Sequence, residues 1–111
     1  MTTVEFPQER FLEYGRAVRA VLPENIRLVA NVGDFDEVYA RRLGDAGFTG
    51  VYHICRLGEG IGTGATVEAR VRTMDAVKAA GLELYWCVEP CRPEHPNEQL
   101  ADEMIRPRQY P

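Results

Sequence analysis

Long apolar runs are missing from this 111-residue chain. None approaches the roughly 20 residues that a bilayer-spanning helix needs. The opening MTTVEFPQER lacks the apolar stretch of a secretory signal, so a cytoplasmic location is expected. A basic excess is missing too: the formal net charge is −4, which leaves no electrostatic footprint for nucleic acid. Cysteine is scarce, and its three copies are odd in number, which argues against a disulfide framework and for reduced thiols. There is no linker, no low-complexity tract and no second domain. The length suits one small domain with its own core, and 45% hydrophobic with 27% charged residues is an ordinary globular balance.

What is present is a repeated helix–strand order. Pro7 opens a helical pattern with apolar residues at Phe11, Tyr14, Val18, Val21 and Leu22. Residues 26–33, IRLVANVG, read as a strand with a glycine at its exit. Asp34, three residues before Glu37, reads as a helix-capping pair, and that helix ends at Gly47. A second strand follows over 49–55. The third helix carries Val67, Val71, Met74 and Val77 on one stripe and ends at Gly81. The third strand covers 82–90, and a fourth helix stops before Pro107. Ala46-Gly47 and Ala80-Gly81 mark the same junction twice. Helices between short strands are crossovers, so the expected fold class is α/β with a parallel sheet of β/α units. One domain over residues 1–106 is expected, with 107–111 as an unstructured tail.

Strand parity sorts the side chains into two faces. One parity holds Leu28, Ala30 and Val32, then Tyr52 and Ile54, then Leu84, Trp86 and Val88. This set suits a covering layer of helices. The other holds Val29 and Asn31, then Val51, His53 and Cys55, then Tyr85, Cys87, Glu89 and Cys91. Its polar members gather at the C-terminal ends of the strands, where parallel α/β sheets and barrels bind ligands.

The cysteines do not read as a metal centre. Cys87 and Cys91 share a face with Cys55 and His53, and zinc favours such ligands. However, no Cys-x-x-Cys pair occurs and Pro90 interrupts the strand before Cys91, so no metal is assigned. The glycine-rich stretch RLGEGIGTGA matches neither the dinucleotide fingerprint nor the phosphate-binding loop. Arg70, near the start of the third helix, could clamp a carboxylate in two-pronged fashion, but on spacing alone it reads, like Arg72, as a solvated surface arginine.

In their order and spacing, RVRTM (70–74), KAAGLEL (78–84) and VEPCRPEH (88–95) resemble the middle of the barrel in radical S-adenosylmethionine enzymes. The similarity is to the biotin-synthase-like branch. The preceding LVANVGDFDEVYARRLGDAGF resembles the strand and helix before it, so the similarity spans about residues 26–95. The resemblance implies part of a TIM-type (β/α) barrel. It gives Arg70 the carboxylate of S-adenosylmethionine, and places Val88, Glu89 and Pro90 along the segment that passes the cofactor's adenine. It places Asn31, His53, Cys55, Tyr85 and Cys87 around the substrate cavity. Arg92 stands where the family has a glycine.

The family's Cys-x-x-x-Cys-x-x-Cys, which holds its [4Fe–4S] cluster, is absent. So is its Gly-Glu-rich segment after the second strand. A radical-generating enzyme is therefore expected only with further polypeptide, either a missing N-terminal part of the barrel or a second chain. That assembly would act on a small-molecule substrate. Two other readings stay open: a stand-alone, non-catalytic α/β module that oligomerises, and a fragment of another barrel enzyme using His53 and Glu59 as acid and base.

Overall fold

The structure is a computed structural model that describes residues 6–110. Its elements are α1 (Gln8–Val21), β1 (Val29–Ala30), α2 (Glu37–Asp45), β2 (Gly50–Tyr52), α3 (Val67–Ala79), β3 (Glu83–Tyr85) and α4 (Asn97–Ile105). The architecture is α/β. The three strands are parallel in the order β1-β2-β3, as crossover helices require. Among the described residues no helix is long and apolar enough to cross a membrane.

The junctions from α2 to β2 and from α3 to β3 close in the same way. Gly47 and Gly81 take positive φ, 95° and 72°, a region that favours glycine. The Gly47 and Phe48 amides donate to the carbonyls of Gly44 and Leu43, and those of Gly81 and Leu82 to Lys78 and Val77. These paired bonds satisfy the last helical carbonyls and fix the angle at which the next strand leaves. The repeated Ala-Gly in the sequence is this repeated geometry.

The core lies on one face of the sheet. Phe11, Leu12, Tyr39, Leu43, Phe48 and Val77 pack there with Ala30 and Val51. On α1 the buried positions are Phe11, Leu12 and Gly15, while Tyr14 and Val21 of the expected stripe are 47% and 81% exposed. The helix is rotated so that Gly15 faces inward, where the Phe48 ring occupies the place of a side chain.

Strand register overturns the expected parity of β2. Ala30 pairs with Val51 and Val51 with Leu84, so these three point to the helix-covered face. His53, two residues after Val51, falls on the parity of that face and is buried. Tyr52 pairs with Tyr85 on the opposite, half-buried face. The cause is Gly50. A β-carbon there would lie 2.6 Å from the Tyr85 ring and 2.8 Å from the Glu83 carbonyl oxygen, so only glycine lets Tyr85 fold across β2. Gly50→Ala is expected to destabilise the chain by about 1–3 kcal/mol, because the Glu83 carbonyl is backbone and cannot yield. Gly44→Ala is the control: its methyl would meet only a Leu82 methyl at 3.6 Å, and helix α2 should gain about 0.5–1 kcal/mol. Urea titration of the two variants reads the difference in sign, and equal shifts would refute the packing account.

Two further expectations are corrected. The cap of α2 is Asp36, whose side chain accepts from the Tyr39 amide at 2.9 Å, and not Asp34. After α4 the chain does not trail off at once: residues Arg106–Gln109 form a turn of 3-10 helix. Tyr110 donates to Asp75 on α3 at 2.8 Å, and Lys78 donates to the Gln109 carbonyl at 2.9 Å. Pro111 lies outside the described residues.

Candidate functional site

Beyond their paired residues the strand segments continue side by side. The His53 amide donates to the Tyr85 carbonyl at 3.2 Å and the Leu57 amide to the Glu89 carbonyl at 3.0 Å. The segment after β2 then curls through glycines 58, 60 and 62, all at positive φ, with turn bonds from Glu59 to Arg56 and from Ile61 to Gly58. This curl turns Glu59 inward. One carboxylate oxygen accepts from the Arg56 amide at 3.1 Å, and the other lies 3.3 Å from the Thr63 hydroxyl. Thr66 caps α3 by accepting from the Ala69 amide, and Arg70, on the first turn, reaches back over the strand ends.

These elements assemble a cluster of charged side chains with little access to water. Arg70 (side chain 17% exposed) lies between two carboxylates: Asp34 Oδ1 is 3.2 Å from Nη1, and Glu59 Oε2 is 3.4 Å from Nε. Asp34 Oδ1 also accepts from the Thr73 hydroxyl at 3.2 Å and lies 3.2 Å from His53 Nε2. His53 Nε2 and Arg70 Nε are both buried without a hydrogen-bond partner. Burial, and then the Arg70 charge, push the His53 pKa down to about 4, against smaller upward pulls from Asp34 and Glu59. At neutral pH the imidazole is uncharged. A buried guanidinium with an unspent donor is suited to take a carboxylate oxygen.

The predicted site residues separate into groups. Arg70 and His53 meet at Asp34. Asn31 lines the same cavity of about 80 Å³ as Tyr52, His53, Arg56 and Arg70, which is room for a few waters. Tyr85 does not join them: its hydroxyl donates to Glu83 at 2.9 Å, beside Arg27. Cys87 lies 2.9 Å from the Tyr52 hydroxyl. Cys55 is buried near Arg106 and Glu103, and burial raises its thiol pKa. The Cys91 thiol donates to the Val88 carbonyl, and Glu89 pairs with Arg56 at 3.2 Å. Pro90 lines a second hollow of about 330 Å³ with Arg56, Glu59, Arg92 and His95. Arg72 is exposed and lines a groove of about 580 Å³ between α2 and α3, together with Asp34 and Thr73.

Two members of the cluster escaped the sequence reading. In the sequence Asp34 reads as a helix cap, although Asp36, directly before EVYARRL, is the better-placed capping residue. Thr73 stands three residues after Arg70 and one turn before Val77, and its buried position is visible only once α3 is docked. No protein family, curated protein or solved structure matches this chain.

Proposed function

We propose that this chain is part of a radical S-adenosylmethionine enzyme, and that its strand ends form one wall of the cofactor and substrate cavity. In this reading the β/α units belong to a TIM-type barrel, and Arg70 anchors the carboxylate of S-adenosylmethionine. The observation that carries the reading is the position of Arg70 at the C-terminal edge of parallel strands, mostly buried and with its Nε donor unspent. Glu59, locked by the glycine-rich curl, lies 3.4 Å from Arg70 Nε and keeps the guanidinium aimed. Asn31 borders the small cavity beside it and would face the substrate, whereas neutral His53 lines that cavity from the helix-covered face, where it is buried.

S-adenosylmethionine would supply the radical chemistry. The residues of this chain do not fit the cluster that such chemistry needs. Cys55 is buried, Cys87 pairs with Tyr52, Cys91 is exposed, and among the described residues no three metal-binding side chains converge. The cluster ligands and the remaining barrel strands are assigned to polypeptide outside this sequence.

Titration of the isotopically labelled full chain with S-adenosylmethionine tests the reading at Arg70. Arg70→Lys keeps the charge opposite Glu59 but cannot make a two-pronged contact. It is expected to weaken binding about tenfold or more, the loss of one charge-assisted hydrogen bond. Arg72→Lys should leave binding unchanged. Equal losses in the two variants, or no response of the Arg70 Nε resonance in the unaltered chain, would remove Arg70 from the site.

A further inference from the structure

Arg70 is paired less closely than several surface arginines among the described residues. At the surface, Arg42 grips both carboxylate oxygens of Glu9, at 2.5 and 2.6 Å, and Arg27 meets Glu83 at 2.7 Å. Arg70, where an unsatisfied charge costs most, has only contacts of 3.2 and 3.4 Å, each through a single oxygen. Neither carboxylate uses the parallel, two-pronged geometry that guanidinium favours.

The two carboxylates also differ in how firmly they are held. Glu59 is 1% exposed in its side chain, and both of its oxygens are committed to its own loop. Asp34 is 33% exposed, and Arg70, Thr73 and His53 all crowd its Oδ1. The Thr73 hydroxyl has one proton for three acceptors within reach, Asp34, Phe35 and Ala69, so its hold on Asp34 is shared. Asp34 sits between β1 and α2, and because Asp36 caps that helix, moving Asp34 leaves the helix start intact. Asp34 also lines the groove of about 580 Å³, whose other charged lining residues are Arg72, Asp36, Glu37 and Asp75. A displaced carboxylate has space there.

We infer that Asp34 is an internal occupant of the anion site at Arg70, displaced by an incoming ligand carboxylate while Glu59 stays in place. The inference rests on the reading of Arg70 as a carboxylate anchor, but it does not depend on which carboxylate is the natural ligand. The plug keeps the buried guanidinium neutralised in the free protein and lowers the apparent affinity of any ligand by the fraction of time it is seated.

The test uses sodium acetate and S-adenosylmethionine as separate probes of the full chain, read at the Arg70 Nε–H resonance. Asp34→Asn removes the competing charge and should tighten acetate binding about tenfold, as expected when a site free about a tenth of the time becomes fully available. Asp45→Asn makes the same change in net charge at an exposed position outside both the cluster and the groove and should leave acetate affinity unchanged. In the unaltered chain, saturating acetate should move the Asp34 carboxylate carbon resonance and leave that of Glu59 in place, a reading that needs no folded variant. Asp34→Asn binding acetate no more tightly, Asp45→Asn gaining as much, or an unmoved Asp34 resonance would overturn the plug. Acetate behaving as expected while S-adenosylmethionine binds no variant would support the plug and refute the proposed cofactor.

Discussion

Phe48→Ala is expected to cost about 3–5 kcal/mol, the usual loss for deleting a buried phenylalanine, and to lower the melting temperature by roughly 15 °C. Phe48 is 3% exposed and stacks on Phe11 with ring centroids 5.4 Å apart and 13° between the planes. It fills the space left open by Gly15, so one ring joins α1 to the entry of β2. The backbone junction survives the substitution, because the Phe48 amide still donates to the Leu43 carbonyl. The loss is therefore one of packing alone. For a domain whose whole stability is about 5–15 kcal/mol, that is a large share. Adding Gly15→Ala tests the fit of the two positions. A methyl at residue 15 collides with the Phe48 ring in the unaltered chain, but in Phe48→Ala it meets a void and gains helix propensity. The double variant should be more stable than Phe48→Ala, whereas Gly15→Ala alone should be less stable than the parent. A loss of under about 1 kcal/mol in Phe48→Ala, the effect of an ordinary surface change, would refute this packing.

The features that were legible in the sequence are those whose cause is local. The Ala-Gly junctions at 46–47 and 80–81 announce themselves because a left-handed residue strongly favours glycine, and the helices follow from apolar spacing. The register of β2 was not legible. Read alone, TGVYHIC offers Tyr52 and Ile54 as the apolar parity and His53 as the polar one. The true assignment is reversed because the Tyr85 ring crosses the bare Gly50, a contact 35 residues distant in sequence. A one-residue slip carries every side chain of a strand to the other face. That is why His53 turned out buried beneath helices while Tyr85 and Cys87 stayed on the opposite side.

The candidate site was legible in part for the same reason. Arg70 and His53 were visible as polar residues at strand ends and helix start, where a parallel sheet collects them. What holds them was not: Asp34 looked like a helix cap, and Glu59 enters the interior only because three left-handed glycines curl its loop. Burial of charge is decided by partners that meet in space. The consequence for His53 is a set protonation state, and that state has a measurable cost.

His53 should make the fold lose stability as the pH falls from about 6.5 toward about 4. In the unfolded chain its imidazole takes up a proton near the ordinary value of about 6.5, whereas in the fold the pKa is about 4. Between these values the unfolded state binds the additional proton, so stability falls as pH falls. It is fully present above the unfolded pKa, and the decline levels off below the folded one. The groups facing the imidazole account for the direction. Arg70 opposes a second positive charge, Asp34 and Glu59 favour it less strongly than burial and Arg70 oppose it, and the Phe35 ring, 6.3 Å away, contributes no charge. From pH 7 to pH 4.5 this one group should remove about 2.5 kcal/mol. Acidic side chains begin to titrate at the lower end of the range, so the measurement is a difference between the parent and His53→Gln, which keeps a polar side chain but cannot take up the proton. The other histidine, His95, is present in both proteins and cancels. Urea unfolding at pH 7, 5.5 and 4.5 should show the parent losing about 2.5 kcal/mol more than the variant. Parallel losses in the two proteins, or a His53 ring resonance that titrates near 6.5 in the folded chain, would mean that the imidazole is free to charge and that Arg70 does not press on it.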